Sequence, residues 1–235
     1  MRIEIATTTI QATVTRDRES AELTYARLPD VTWYWAMARL TNAPEYRIAH
    51  GPKQGYVRTE MFFSLVRAAI APCEEVRLLQ ELVDGVIFTA TDVRPLFECT
   101  VLMGQVAHQM NQVAGTPHFP FALKLGLGFG VGKRVLRSTE TFAGAGLDRL
   151  SRIMLAPSEA GVILADDEAY RVGHGTFEEY ADIVAVSPSK ELNGHRGDVP
   201  DGAPSVFYRE LRVDRQALLE TRDRFGHWIR QPGLR

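Results

Sequence analysis

The sequence predicts an α+β fold, with helices laid on one face of a mostly antiparallel sheet; the ferredoxin-like βαββαβ core is one such arrangement. Three observations predict it. Apolar strand-like segments alternate with segments of helical spacing along the chain. Hairpin signatures fall at residues 76–90 and 121–137. The order reads strand, helix, hairpin, helix, hairpin, helix, strand, without repeats or low-complexity tracts.

Residues 3–15 alternate Ile, Thr and Val and predict a strand. Residues 16–28 are charged and suit a short helix or a linker. Val31 to Met37 is aromatic-rich and predicts a second strand. From Tyr56 to Ile70 the apolar residues Val57, Met61, Phe62, Leu65, Val66 and Ala69 recur at helical spacing, and Pro72 ends the run. Residues 76–82 and 86–90 are apolar strands joined by the turn Val83-Asp84-Gly85. Asp92 is placed to cap a helix reaching about Val113, and Thr116 to Pro120 reads as a loop. Residues 121–137 form the second hairpin, Gly146 to Leu155 a helix, and Gly161 to Ala165 a strand. Residues 186–204, rich in Pro, Gly, Asp and Ser, predict a long loop. Val206 to Val213 closes as a strand, and Asp214 caps a helix over 215–230.

Composition bounds the function. The chain has 235 residues, 45% hydrophobic and 24% charged, enough for one good core. A net charge of −2 gives no bulk electrostatic case for nucleic acid or an anionic membrane. No apolar run reaches the roughly 18 residues of a membrane span. The start, Met1-Arg2-Ile3-Glu4, lacks the basic and apolar regions of a signal peptide. Cys73 and Cys99 have neither metal-type nor disulfide-framework spacing and read as reduced core thiols. A soluble, cytoplasmic protein is expected.

The chemistry concentrates in three places. The turn Val83-Asp84-Gly85 presents a carboxylate. The segment Tyr34-Trp35-Ala36-Met37-Ala38-Arg39-Leu40-Thr41 precedes it. Downstream, Phe142-Ala143-Gly144-Ala145-Gly146-Leu147-Asp148-Arg149-Leu150-Ser151-Arg152-Ile153 follows the glycine-studded run Lys124 to Gly132. In order and spacing, residues 30–175 resemble the catalytic domain of the class III nucleotidyl (adenylate/guanylate) cyclases.

The resemblance implies a two-metal reaction, in which the 3′-hydroxyl of a nucleoside triphosphate attacks the α-phosphorus in line and pyrophosphate leaves. It implies Mg²⁺ or Mn²⁺, held by one Asp at the end of the first strand and another in the next hairpin turn. Asp84 matches the second position. At the first, the aromatic, Met37 and Thr41 fit the family pattern, but Ala36 stands where the metal-binding Asp belongs. Two readings stay open: a naturally degenerate domain, or an Asp→Ala change in an otherwise active enzyme. Arg152 matches the family arginine that acts across a head-to-tail homodimer, and Asp148 takes the place of its Asn partner one turn earlier. Gln80 and Ala145 fall at the base-reading positions. Gln80 donates and accepts hydrogen bonds and Ala145 does neither, so adenine or guanine specificity is not implied. A pyrimidine base, as in stand-alone bacterial cyclases of antiphage defence, suits them. Arg39 and Thr41 fall in the loop that wraps the triphosphate, where backbone amides bind phosphate.

The glycines of 126–132 do not form a P-loop, lacking its Lys-Ser/Thr pair, and suit close backbone contact. Lys133 and Arg134 read as solvated strand-end charges; His108, His118, His174 and His195 lack metal-ligand spacing. Residues 1–29 and 176–235 are expected to be extensions packed on the same domain. The alternatives to an active cyclase are a degenerate cyclase-homology module that binds a nucleotide or a protein, and a ferredoxin-like interaction domain that binds no nucleotide.

Overall fold

The computed structural model describes residues 15–23, 26–114, 120–136, 140–192 and 205–220. Thr15, the last residue of the strand expected over 3–15, is helical; the rest of that strand, most of the 116–120 loop and the end of the helix expected over 215–230 lie outside these residues.

Among the described residues one nine-stranded sheet organises the molecule. It begins with β1 (Asp30–Leu40), followed by helix α1 (Ala43–Ile70) and the hairpin of β2 (Arg77–Glu81) and β3 (Gly85–Ala90). Helix α2 (Val93–Ala114) leads into β4 (Leu123–Leu136). These six elements form the βαββαβ core, with strand order β2-β3-β1-β4. The sheet then grows outward. β6 (Val162–Asp166) runs parallel to β4, and β9 (Val206–Val213) runs antiparallel to β6. The fold class is the one expected from the sequence.

β1 is apolar along most of its length because both of its faces are covered. Tyr34, Ala36, Ala38 and Leu40 point into the core formed with α1 and α2, beside Phe62, Phe88 and Phe97. Trp35 and Met37 point to the opposite face, into a second cluster with Leu150, Ile153 and Met154. Those three residues belong to, or just follow, helix α3 (Ala145–Ile153). The expectation of helices on one face is therefore corrected: α3 covers the other.

Four further differences are local. The run at 121–137 is a single long strand rather than a hairpin, and its partner β5 (Glu140–Ala143) lies beyond it. Helix α1 starts thirteen residues before Tyr56, because Gly51-Pro52 breaks the helical period without ending the helix. Two short helices, α4 (Asp167–Val172) and α5 (His174–Glu179), follow β6. The region read as a long loop carries β8 (Lys190–Leu192), just after β7 (Val184–Val186), and both pair with β9. The two caps are where the sequence puts them. Asp92 accepts a bond from the amide of Arg94 at 3.0 Å, and Asp214 one from Gln216 at 2.9 Å, opening α6 (Arg215–Glu220).

Candidate functional site at the strand-turn and helix face

Asp84 is fixed by its backbone. Its carbonyl accepts the amide of Leu40 at 2.8 Å, so the β2–β3 turn sits against the end of β1. Alternation along β1 puts Arg39 on the face of Trp35 and Met37, the one covered by α3. There Arg39 Nη2 donates to Asp84 Oδ2 at 2.9 Å. The pair is half-buried, with side chains 39% and 23% exposed.

Ala36 is not brought to this pair. It is fully buried, it faces the α1–α2 core, and its strand neighbours in register are Phe88 and Leu127. It lies about 10 Å up the strand from Arg39, on the other side of the sheet. The β1 side chain that meets Asp84 is at position 39. Thr41 is spoken for: its hydroxyl donates to the Ala122 carbonyl at 3.0 Å, and its amide bonds the same oxygen at 2.9 Å. It ties the end of β1 to the start of β4.

Gln80 is exposed on β2, beside a bulge, and pairs with Ile87, whose side chain joins the α3-side cluster. Its amide therefore lies on the same face as Arg39 and Asp84. On α3, Asp148 is exposed in the first turn and Arg152 half-buried in the last. Ala145, the first residue of α3, is exposed and lines a cavity of about 510 Å³ with Phe129, Arg149 and Asp166.

Sequence reasoning missed Arg149. Its Nε donates to Asp166 Oδ2 at 3.0 Å and its Nη2 to the Phe129 carbonyl at 2.6 Å, clamping α3 to β4 and β6. Burial pushes the Asp166 carboxyl above its ordinary value, against the pull of the Arg149 guanidinium. Lys133 is held by Asp30 at 2.8 Å.

Two metal ions need several hard oxygen ligands in one place. Asp84 meets a guanidinium instead. Among the described residues no three His, Cys, Asp or Glu side chains cluster closely enough to hold a metal ion. The residues present do not fit a two-metal centre.

The fold is that of the class III cyclase catalytic domains. The guanylyl cyclase Cya2 superposes with a TM-score of 0.62 at 15% identity, over 79% of this chain and 94% of that one. The adenylate/guanylate cyclase/hydrolase of Silicibacter pomeroyi gives 0.59 at 14%, over 80% and 100%. The guanylate cyclase domain of RhGC from Catenaria anguillulae, in complex with GTP, gives 0.59 at 11%, over 79% and 99%. At such identities the likeness is one of fold. The sequence matches no protein-family model and no curated protein. No helix among the described residues is long and apolar enough to cross a membrane.

Proposed function

We propose that the chain is a class III cyclase-type domain that binds a nucleoside triphosphate but has lost metal-dependent cyclisation, acting as a head-to-tail homodimer. One observation carries this reading: the Arg39–Asp84 ion pair at the strand end, on the α3 face. Arg39 supplies a fixed cation where the two-metal reaction requires a second carboxylate. A guanidinium matches phosphate oxygens in charge and geometry. In the dimer, Arg39 and Asp84 of one subunit face Arg152 and Asp148 of the other, with Gln80 toward the base. The GTP complex of one structural neighbour supports a triphosphate, and another neighbour, a non-canonical dimeric guanylyl cyclase domain, supports a dimer without bearing on its head-to-tail arrangement. Gln80 suits the edge of a pyrimidine as well as that of a purine.

Calorimetry with the four triphosphates, with and without a chelator, tests this. Binding of at least one triphosphate should survive metal removal, with no cyclic nucleotide formed by the wild-type chain. Arg39→Asp should make binding depend on Mn²⁺. Cyclic nucleotide from the wild-type chain would overturn the reading.

An active ancestry is a second reading, favoured by the retention of Asp84 and Arg152 in their elements. It expects Arg39→Asp to gain measurable cyclase activity as well.

A further inference from the structure

On the opposite face of the sheet, α1 and α2 diverge around a cavity of about 520 Å³. Val57 and Met61 of α1, Val106 and Met110 of α2, and Phe121 supply apolar walls. One charged side chain lines it, Arg58, and it is only 7% exposed. Its guanidinium carbon lies 4.4 Å from the centre of the Tyr46 ring and 5.3 Å from that of Phe121. Its Nη2 donates to the Pro120 carbonyl at 2.6 Å.

The surroundings of this cation are built. Arg58 lies twelve positions after Tyr46, about 18 Å along a straight helix, too far for the guanidinium to meet the ring. Gly51 closes that distance. At φ 84° and ψ 167° it breaks α1 in a left-handed conformation open chiefly to glycine, and Pro52 starts the second segment. The first segment is thereby turned so that Tyr46 covers Arg58. On the other side Asn111 clamps Phe121, accepting its amide at 2.5 Å and donating to its carbonyl at 3.1 Å.

We propose that this cavity binds an amphiphilic organic anion, a carboxylate on an apolar body, with the carboxylate against Arg58 and the body between Met61 and Met110. A volume of this size suits a small ligand. A desolvated guanidinium gains more from an anion than an exposed one does, because the surroundings screen the attraction less. Burial lowers the pKa of Arg58, the mark of a cation held away from water. Met61 and Val57, 45% and 43% exposed, leave apolar surface at the mouth. Thioether side chains adapt to acyl or aryl groups of varied shape. The site is separate from the Arg39–Asp84 face and does not depend on nucleotide binding.

Octanoate and octanol, titrated separately into the full chain by calorimetry and thermal unfolding, provide the test. Octanoate should bind at one saturable site and raise the melting temperature, with octanol at least about tenfold weaker. Arg58→Met, which keeps the apolar stem, should weaken octanoate by about tenfold or more and leave octanol unchanged. Met110→Trp, which fills the cavity, should abolish both, so the test stands if Arg58→Met does not fold. Equal affinity for the two probes, unchanged octanoate binding in Arg58→Met, or no saturable octanoate binding overturns the proposal.

Discussion

Ala36 and Arg39 sit three residues apart on one strand and face opposite sides of the sheet, so a substitution costs far more stability at one than at the other. A carboxylate at 36 would enter the core between Phe88 and Leu127, at a site with no exposure. A lone buried carboxylate is driven toward its neutral form and still leaves polar atoms without partners. Ala36→Asp is expected to destabilise the chain by about 3 kcal/mol or more in urea at neutral pH, with no gain of stability on adding Mn²⁺. Arg39→Ala removes only a half-exposed ion pair. Its stability loss should stay near or below about 1 kcal/mol, while triphosphate affinity falls. Pattern alone did not separate the two positions. β1 is apolar on both faces, so alternation carries no sign of which side is which. Arg39 could be read from sequence as a phosphate contact, but its partner could not, because the pairing depends on how the β2–β3 turn meets the end of β1.

At the scale of elements, α3 reaches its working position because β4 has no side chains in the way. Gly146 lies against the strand so closely that a Cβ would stand 2.8 Å from the Phe129 carbonyl oxygen and 2.9 Å from the Gly130 nitrogen. Both are backbone atoms and cannot swing aside. Gly146→Ala should therefore lift the N-terminal turn of α3 and cost about 1–3 kcal/mol. Near-UV circular dichroism should report it, since Trp35 packs under this helix and Trp33 beside it. The glycine run was legible as a sign of close backbone approach, though the partner is a helix rather than another strand. Elements marked by strong local chemistry were also legible: β2 and β3 around Asp84, the caps at Asp92 and Asp214, and β9 over Val206–Val213. Those without such marks were not. α4 and α5 span six residues each, less than two turns, too short to establish a period. The first segment of α1 is hidden behind a glycine and a proline that normally announce a break.

For the whole molecule, the proposal rests on two copies sharing each site. Arg39, Asp84 and Gln80 lie on the sheet face that α3 covers, and Arg152 sits at the far end of that helix from Ala145. In a head-to-tail pair each site takes Arg39 from one subunit and Arg152 from the other, and closed two-fold symmetry makes two equivalent sites. This arrangement has a consequence that a site within one chain lacks. Arg39→Ala and Arg152→Ala homodimers should each bind triphosphate poorly, because every site in them is short of one cation. In a mixed dimer one site lacks both arginines and the other has both. Random exchange of subunits makes half the dimers mixed, so combining the variants should restore about a quarter of the wild-type binding stoichiometry at near wild-type affinity. Calorimetry on the mixed sample, with sedimentation to confirm the dimer, measures it. If each chain holds both arginines in its own site, mixing restores nothing, and the shared-site arrangement fails even though the fold stands.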